Sequence, residues 1–255
     1  MDYAPQDLIA VSASRLLGDR KVVFAGVGMP LMASVLARGL HAPHLTIVLE
    51  GGIIGPEIEP GALPISTNEM RAARRAMMLT DIIDIFLYAQ RGFFDYGFLG
   101  TAQIDRFGNI NTSVIGDYKN PKVRLPGSGG ANDIISACRE IFVVTQHQPR
   151  RFVERVDFVT SPGYVDGFDS RRDSGLIFGK VGKVVTDLAI LGFHPVTKEL
   201  MLEQLQPGVD VDQVQQATGF ELKCADNVVD ATPPSEEELR VLRALDPAGA
   251  VLRSS

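Results

Sequence analysis

The amino-acid sequence is poor in the residues that build disulfides and metal sites. Among its 255 residues there are two cysteines, four histidines and no tryptophan. Cys138 and Cys224 lie far apart and have no Cys-x-x-Cys spacing, so neither a disulfide framework nor a zinc site is indicated. We therefore expect no metal site, and a reducing compartment, the cytoplasm.

The sequence also lacks an excess of positive charge and any long apolar run. Lysine and arginine number 25 against 31 aspartates and glutamates, which gives a formal net charge of −6. Nucleic acids are bound by clustered positive surfaces, so no nucleic-acid partner is expected. No uncharged apolar run approaches the length of a membrane span, and the N-terminus has no basic region followed by an apolar core. We expect a soluble protein with no membrane partner.

What the sequence does have is an alternation of strand and helix patterns. Hydrophobic residues make up 45% of the chain, which is enough for a sizeable core. Strand patterns that alternate with helix patterns predict an α/β protein, with three α/β/α layers and a mostly parallel sheet. Nothing forces a division into smaller domains, so we predict a single domain over residues 1–255.

The most informative stretch is a short apolar run that ends in a carboxylate. Residues 46–49 are apolar or β-branched and predict a buried strand that stops at Glu50, before Gly51 and Gly52. In open α/β sheets, ligands bind beyond the carboxyl ends of strands, so Glu50 lies where chemistry is usually found. The two glycines leave room for a ligand to approach the backbone. The alternative is a turn carboxylate that caps nearby amides.

Two glycine-rich turns precede predicted helices. Residues 21–25 predict a strand that runs into Gly26-Val27-Gly28-Met29-Pro30, and proline is well placed to begin a helix. The second turn is Gly127-Ser128-Gly129-Gly130-Ala131-Asn132. Backbone amides in such turns can bind an oxyanion or a phosphate. The first turn lacks the third glycine of a dinucleotide fingerprint. For the second, a tight helix entry capped by Asn132 or Asp133 is the alternative.

Other segments predict ordinary structural elements. His147 follows a predicted buried strand over residues 141–145, and a histidine in such a place is more often a hydrogen-bonded structural residue than an acid or base. The remaining predictions are a helix over 69–78, a hairpin closed at Gly108-Asn109, a strand over 158–164, two antiparallel strands over 183–193 and 200–205, and a terminal helix over 235–245 capped by Ser235.

Taken together, the motifs resemble a known protein family. The combination resembles the β subunit of class I coenzyme A transferases, and is most similar to the glutaconate CoA-transferase type. The resemblance covers nearly the whole chain in order and is carried by Gly26-Val27-Gly28-Met29-Pro30, Val48-Leu49-Glu50-Gly51-Gly52, Gln103-Ile104-Asp105-Arg106-Phe107-Gly108-Asn109-Ile110-Asn111 and Gly127-Ser128-Gly129-Gly130-Ala131-Asn132. Family members often have serine near the nucleophile, where this chain has glycine.

The resemblance implies a reaction and a set of site residues. In that family the glutamate at the position of Glu50 attacks an acyl-CoA thioester, and a glutamyl-CoA thioester follows. Coenzyme A and acyl-CoA would be substrates, with no cofactor bound permanently. The partner would be an α subunit, in an α2β2 or larger assembly. The resemblance implies oxyanion-binding amides at Val27, Gly28, Gly129 and Gly130, and substrate or CoA contacts at Gly26, Gly51, Gly52, Gln103, Ala131 and Asn132.

Two other functions fit the same residues. Relatives of this fold hydrolyse, ring-open or decarboxylate acyl-CoA compounds, and Glu50 would then act as a general base. Related folds also serve as non-enzymatic ligand-binding subunits, because a fold alone does not determine function. A glutamate retained at position 50 favours transfer between a CoA thioester and a small mono- or dicarboxylic acid.

Overall fold

The computed structural model describes residues 3–251. Its elements alternate between helix and strand in the first part of the chain and are mainly strands in the second. In chain order they are α1 (Pro5–Arg15), β1 (Val22–Phe24), α2 (Met29–Leu40), β2 (Thr46–Leu49), β3 (Ile53–Ile54), a 3₁₀ helix (Met70–Ala73), β4 (Met78–Leu79), α3 (Ile82–Gln90), β5 (Tyr96–Leu99), β6 (Gln103–Ile104), β7 (Ile110–Asn111), β8 (Val114–Gly116), β9 (Pro121–Arg124), α4 (Ala131–Ala137), β10 (Glu140–Val144), α5 (Ser170–Asp173), β11 (Lys180–Val185), β12 (Ala189–Phe193), β13 (Leu200–Leu205), α6 (Val211–Gln216), β14 (Lys223–Asp230) and α7 (Glu236–Leu245).

Two compact units divide the chain. The first unit contains the chain up to Phe98, a short piece at Ala137–Arg139, and the chain from Pro233 onward. The second contains Leu99–Ser136 and Glu140–Thr232. That residues 1–255 form one domain stays a prediction.

The first unit has a parallel centre. Strand β1 pairs in parallel with β2 on one side and with β5 on the other. Strand β2 continues through a tight turn into β3, which pairs antiparallel with β2 and with β4. Parallel strands joined by crossover helices are buried on both faces, which explains the apolar runs at 22–25 and 46–49.

Three helices of the first unit share one apolar cluster. Ala10 and Val11 of α1, Met32 and Leu36 of α2, and Leu242 of α7 are all buried together. Ser235 caps helix α7, because its hydroxyl accepts a hydrogen bond from the Glu238 amide and the Glu238 carboxylate accepts one from the Ser235 amide. This reciprocal cap confirms the predicted start of the terminal helix.

The second unit combines a larger group of strands with two small hairpins. Strands β10 and β11 are parallel, β11 to β13 are successively antiparallel, and β14 returns parallel to β13. The predicted hairpin closed at Gly108-Asn109 is present as β6 and β7, with Gly108 at φ 71°. The predicted α/β class with parallel central strands is therefore confirmed. None of the helices within residues 3–251 has the length and apolar character needed to cross a membrane.

The helix predicted over 69–78 is wrong. Only a 3₁₀ turn forms at Met70–Ala73, and Arg75 then adopts φ 47°. Backbone hydrogen bonds leave this segment for the neighbouring strand, because the Met77 amide donates to the Ile54 oxygen and β4 pairs with β3. Pairing with β3 therefore overrode the local helical pattern.

Two strand predictions in the second unit also need correction. Residues 158–164 form no regular strand, because their one β-bridge is the isolated pair of Ser161 with Ile110. The apolar side chains of Phe158 and Val159, on which the prediction relied, are exposed. The strand predicted over 183–193 is two antiparallel strands, β11 and β12, because the Thr186 amide donates to the Ala189 oxygen and turns the chain. Strand β14 was not predicted.

Candidate active site

Glu50 lies immediately after the carboxyl end of β2, as predicted. Its side chain is half-buried. Within residues 3–251 the Glu50 carboxylate makes no hydrogen bond and no ion pair. It therefore does not cap amides of the turn, and its oxygens are available to a ligand or a reaction.

The glycines after Glu50 are closed in by the chain itself. A methyl group on Gly51 would overlap the Thr67 carbonyl oxygen and the Asn68 side chain. A methyl group on Gly52 would overlap the Thr80 carbonyl, and Gly52 has φ 95°. The Gly52 oxygen also accepts a hydrogen bond of 2.8 Å from the Thr80 amide. The absence of side chains here allows the two neighbouring segments to hold the turn that carries Glu50.

The Gly26-Val27-Gly28 turn differs in being open. Apart from the adjacent residues, no atom of residues 3–251 lies within 4 Å of the position where a Cβ would stand on Gly26 or Gly28. Gly28 has φ 81° and is the N-cap of α2, with no side chain capping the helix. In the part of the chain that is described, the amides of Val27 and Gly28 donate no hydrogen bond. Unpaired amides at a helix N-terminus form a ready site for negative charge.

Strand register brings this turn and Glu50 to the same edge of the sheet. Phe24 of β1 is paired with Val48 of β2, and the Ala25 amide donates to the Val48 oxygen at 3.0 Å. Gly26 and Glu50 each lie two residues beyond the Phe24–Val48 pair. Neighbouring strands are about 4.8 Å apart, so the carboxylate and the open turn leave the sheet side by side.

A pocket of about 390 Å³ adjoins the open turn in the first unit. Its walls include Val27 and Gly28, apolar side chains of Leu63 and Ile65, and residues 245–248. Arg71 also lines it and forms a 2.9 Å ion pair with Glu69. Glu50 is not among the described residues that line this pocket.

The second glycine turn belongs to the second unit. Gly129 has φ 48° with open space beside its Cα, and the Ala131 amide donates to the Ser128 oxygen as α4 begins. Asn132 is exposed and Ala131 is half-buried. The amides of Gly129 and Gly130 donate no hydrogen bond to any described residue. Roles in oxyanion or substrate binding for these four residues stay predictions.

Gln103 is buried in a hydrogen-bond network of the second unit. Its side-chain nitrogen donates to Asp157 at 3.1 Å, and its side-chain oxygen accepts from the Asn111 amide group at 2.7 Å and from the Asp157 backbone at 3.1 Å. These bonds join hairpin β6–β7 to the segment at Asp157. The side chain thus has a structural role in the chain, while its predicted contact with substrate stays a prediction.

His147 is a structural residue, which confirms the prediction. Its ring nitrogens lie 3.1 Å from the Thr186 hydroxyl and 2.9 Å from the Thr218 hydroxyl, and the ring stacks on Phe152 with centroids 3.9 Å apart. Burial lowers the pKa of His147 to about 3, because charging a buried imidazole is unfavourable. It is therefore neutral at ordinary pH, and both ring nitrogens are engaged with threonine hydroxyls.

The segments that close the Glu50 turn were missed by sequence analysis. Thr67, Asn68 and Thr80 are far from Glu50 along the chain and belong to no recognisable motif. Only their backbone path brings them against Gly51 and Gly52. No local signal in the sequence marks such a contact.

These features define an α/β protein that has, among its described residues, a carboxylate without a partner at a parallel strand end and a turn with two unpaired amides beside it. The family model for coenzyme A transferases matches residues 7–217. The chain belongs to the coenzyme A transferase family.

Individual relatives agree with this assignment. The chain is 40% identical over 245 residues to the B subunit of 3-oxoadipate CoA-transferase from Pseudomonas knackmussii, with 96% of this chain and 94% of the relative covered. It is 33% identical over 260 residues to the B subunit of glutaconate CoA-transferase from Acidaminococcus fermentans, with 99% and 96% covered. A crystal structure of the glutaconate enzyme from that organism aligns with a TM-score of 0.92 at 30% identity, over 100% of this chain and 99% of the other.

One similar protein has a different activity in its name. The chain is 33% identical over 235 residues to the cholesterol ring-cleaving hydrolase IpdB subunit of Rhodococcus jostii, with 88% of each chain covered.

Proposed function

We propose that this chain is the β subunit of a CoA-transferase and that Glu50 is its nucleophile. The observation that carries the proposal is a half-buried carboxylate without any partner among the described residues, beside a turn with two unpaired amides. A side chain that only stabilises the fold would use its oxygens in hydrogen bonds or ion pairs. A carboxylate nucleophile suits this reaction, since the group exchanged passes between carboxylates.

The proposed reaction proceeds by covalent exchange. A Glu50 oxygen attacks the thioester carbon, the carbon–sulfur bond breaks, and CoA departs as its thiolate. Glu50 and the acyl group are then joined in an acyl-glutamyl anhydride. The thiolate then attacks the glutamyl carbonyl and releases the donor acid as its carboxylate, which leaves a glutamyl-CoA thioester. The acceptor carboxylate repeats both steps in reverse and takes the CoA. No proton is gained or lost in any of these steps, so the scheme requires no external acid or base.

Two features of the first unit would lower the barrier. A carboxylate is a weak nucleophile in water, and holding it against the thioester can contribute about 7 kcal/mol or more. The tetrahedral intermediate carries an oxyanion, and one well-placed donor contributes roughly 3 kcal/mol. The amides of Val27 and Gly28 donate to no described residue and are free to bind it. Gly129 and Gly130 of the second unit are proposed as further donors.

The names of the relatives support a proposal for the substrates and the partner. The names of two similar proteins specify 3-oxoadipate and glutaconate, both dicarboxylates, and each name describes a B subunit. We therefore propose a small dicarboxylic acid as one substrate and an acyl-CoA as the other, with coenzyme A as a substrate and not a resident group. We also propose an α-subunit partner, in an α2β2 or larger assembly in the cytoplasm. The residues proposed to contact substrate or CoA are Gly26, Gln103, Ala131 and Asn132, with Gly51 and Gly52 at the edge of the substrate site.

Trapping the intermediate tests the proposal. The chain, co-expressed with its α partner, is incubated with acyl-CoA and then with hydroxylamine or borohydride, and the modified peptide is identified by mass spectrometry. We expect modification at Glu50 alone and at least about a thousandfold loss of transfer in Glu50→Gln, from the lost covalent route. Glu59→Gln is the control, because Glu59 is exposed and paired with Arg74. Full transfer by Glu50→Gln contradicts the assignment.

A hydrolase is the second candidate, because the IpdB relative covers most of the chain. Glu50 would then act as a general base toward water. Such an enzyme would consume acyl-CoA without an acceptor acid and would leave no hydroxylamine-sensitive adduct on Glu50. The same trapping experiment therefore separates the two functions.

A further inference from the structure

We propose that an exposed hairpin of the second unit binds the 3′-phosphorylated adenosine end of coenzyme A, and this rests on the proposed function. The hairpin is formed by β8 and β9, joined by residues 117–120. The binding surface, here called the nucleotide platform, consists of Tyr118, Lys122, Arg124 and Phe158, with Lys119 at its edge.

The platform has a flat aromatic part. The rings of Tyr118 and Phe158 are stacked, with centroids 5.1 Å apart and planes 21° apart. The Arg124 guanidinium lies over the Tyr118 ring at 4.8 Å from its centroid and donates a 2.9 Å hydrogen bond to the Tyr118 carbonyl. Tyr118 remains 54% exposed and Phe158 36% exposed. A layered column of two rings and a guanidinium therefore stands at the surface, not in the core.

The platform also has positive charge without matching carboxylates. Lys119, Lys122 and Arg124 lie within six residues on this hairpin, and Lys122 is the extra residue of a bulge, since Ile115 pairs with Val123 and Gly116 with Pro121. Neither Lys119 nor Lys122 forms an ion pair with a described residue. The nearby carboxylates have other partners: Asp117 accepts from the amides of residues 119 and 120, and Asp157 accepts from the amide of residue 116.

This combination matches one end of coenzyme A. Its adenine is a planar base that stacks on aromatic rings and on guanidinium planes. Its 3′-phosphate and diphosphate are compact anions that lysine and arginine bind strongly. Three cations on one hairpin of a chain with net charge −6 suit a small polyanion and not a long nucleic-acid backbone.

Along the chain, the platform is followed closely by the Gly129-Gly130 turn, whose amides are proposed to bind the oxyanion. Strand β9 ends at Arg124, and the next residues return to the hairpin base through hydrogen bonds from Leu125 to the Ser113 oxygen at 3.0 Å and from Gly127 to the Thr112 oxygen at 2.8 Å. The Gly129-Gly130 turn follows directly. The long pantetheine arm of coenzyme A connects a nucleotide held at a surface to a thioester held at such a turn. Energy from the nucleotide end can then be used at the reacting carbon.

Binding measurements on the full chain test the platform. Isothermal titration calorimetry compares coenzyme A with 3′-dephospho-coenzyme A for the wild type, Lys122→Glu, Arg124→Glu and Arg172→Glu. We expect the wild type to prefer coenzyme A about tenfold, the contribution of one charged hydrogen bond. Lys122→Glu and Arg124→Glu should remove that preference. Arg172→Glu should keep it, because Arg172 is an exposed cation on α5, away from the hairpin in sequence.

Stacking gives a second, independent signature. Phe158→Leu should weaken both ligands about tenfold and leave their ratio intact, since the base is common to both. Circular dichroism and thermal unfolding establish that each variant is folded. No binding of coenzyme A, equal affinity for the two ligands, or an unchanged preference in both glutamate variants overturns the platform. Labelling of Glu50 is read separately, so the platform and the transferase proposal can fail independently.

Discussion

Two glycine turns of the first unit stand at neighbouring strand ends and have opposite surroundings. Around Gly51 and Gly52 the space beside each Cα is filled by Thr67, Asn68 or Thr80, whereas around Gly26 and Gly28 it is empty. In the closed turn, glycine allows the chain to pack against itself and fix the position of Glu50. In the open turn, glycine leaves two amides accessible. Glycine therefore has two different structural effects at these neighbouring strand ends.

The largest effect is expected where the closed turn is disturbed. Gly52→Ala adds a methyl group that overlaps the Thr80 carbonyl, at a residue with φ 95°. Backbone strain and overpacking each contribute about 1–3 kcal/mol in typical cases, so unfolding free energy should fall by about 4 kcal/mol. Urea unfolding measures it. A loss below about 1 kcal/mol would mean that the Thr80 segment does not hold this turn.

In the second unit, the buried side chain of Gln103 should also contribute to stability, through hydrogen bonds and not through close packing. Gln103→Ala removes the partner of Asn111 and of the Asp157 amide. Leaving such buried groups unpaired costs about 1–3 kcal/mol, so we expect a loss of about 2–3 kcal/mol in urea unfolding. Gln146→Ala serves as a control, because the Gln146 side chain bonds only to Gln148 among the described residues. Equal stability of the two variants would contradict the structural role of Gln103.

His147 is a buried side chain whose protonation should make the unfolding free energy depend on pH. The folded pKa is about 3, against 6.5 for a free imidazole. Below pH 6.5 the unfolded chain takes up a proton that the folded chain does not, so stability falls as pH falls from 6.5 toward 3. At pH 5 the loss is about 2 kcal/mol relative to pH 7. In His147→Asn the difference in unfolding free energy between pH 7 and pH 5 should shrink by that amount, and an unchanged difference would refute the assignment.

The open turn should tolerate a methyl group far better. Gly28→Ala meets no atom of the other described residues beyond its chain neighbours but must keep φ 81°, so a loss of about 1–2 kcal/mol is expected. Gly26→Ala meets none and needs no positive φ, so its effect should lie within about 0.5 kcal/mol. Both variants should stay folded while transfer by Gly28→Ala drops, because a displaced amide binds the oxyanion less well. Full transfer by Gly28→Ala would remove Gly28 from the proposed oxyanion site.

The parts of this site that sequence patterns predicted are those determined locally. An apolar run that ends in Glu50, and a glycine turn before Pro30, follow from periodicity and backbone freedom alone. The α/β class follows from their alternation. The helix predicted over 69–78 failed because its backbone bonds go to β3, a contact between distant residues.

The closing of the Glu50 turn could not be predicted for the same reason. Gly51 looks like a residue left small for a ligand, and the structure fills that space with Thr67 and Asn68. A single sequence gives the preference of each residue and not the path of a segment some sixteen residues away. The amides of Val27 and Gly28 are unpaired because no described acceptor lies near them, and a local sequence pattern does not encode this either.

Helix α7 also affects how the protein is made. Leu242 completes the cluster of Ala10, Met32 and Leu36, and Glu238 pairs with Arg15 at 2.7 Å. A ribosome adds roughly 10 residues per second, so the segment that carries Glu50 emerges many seconds before its last helix. During that interval the apolar residues of α1 and α2 that pack on Leu242 stay exposed. A nascent chain stalled before α7 would therefore be a target for chaperones and proteases.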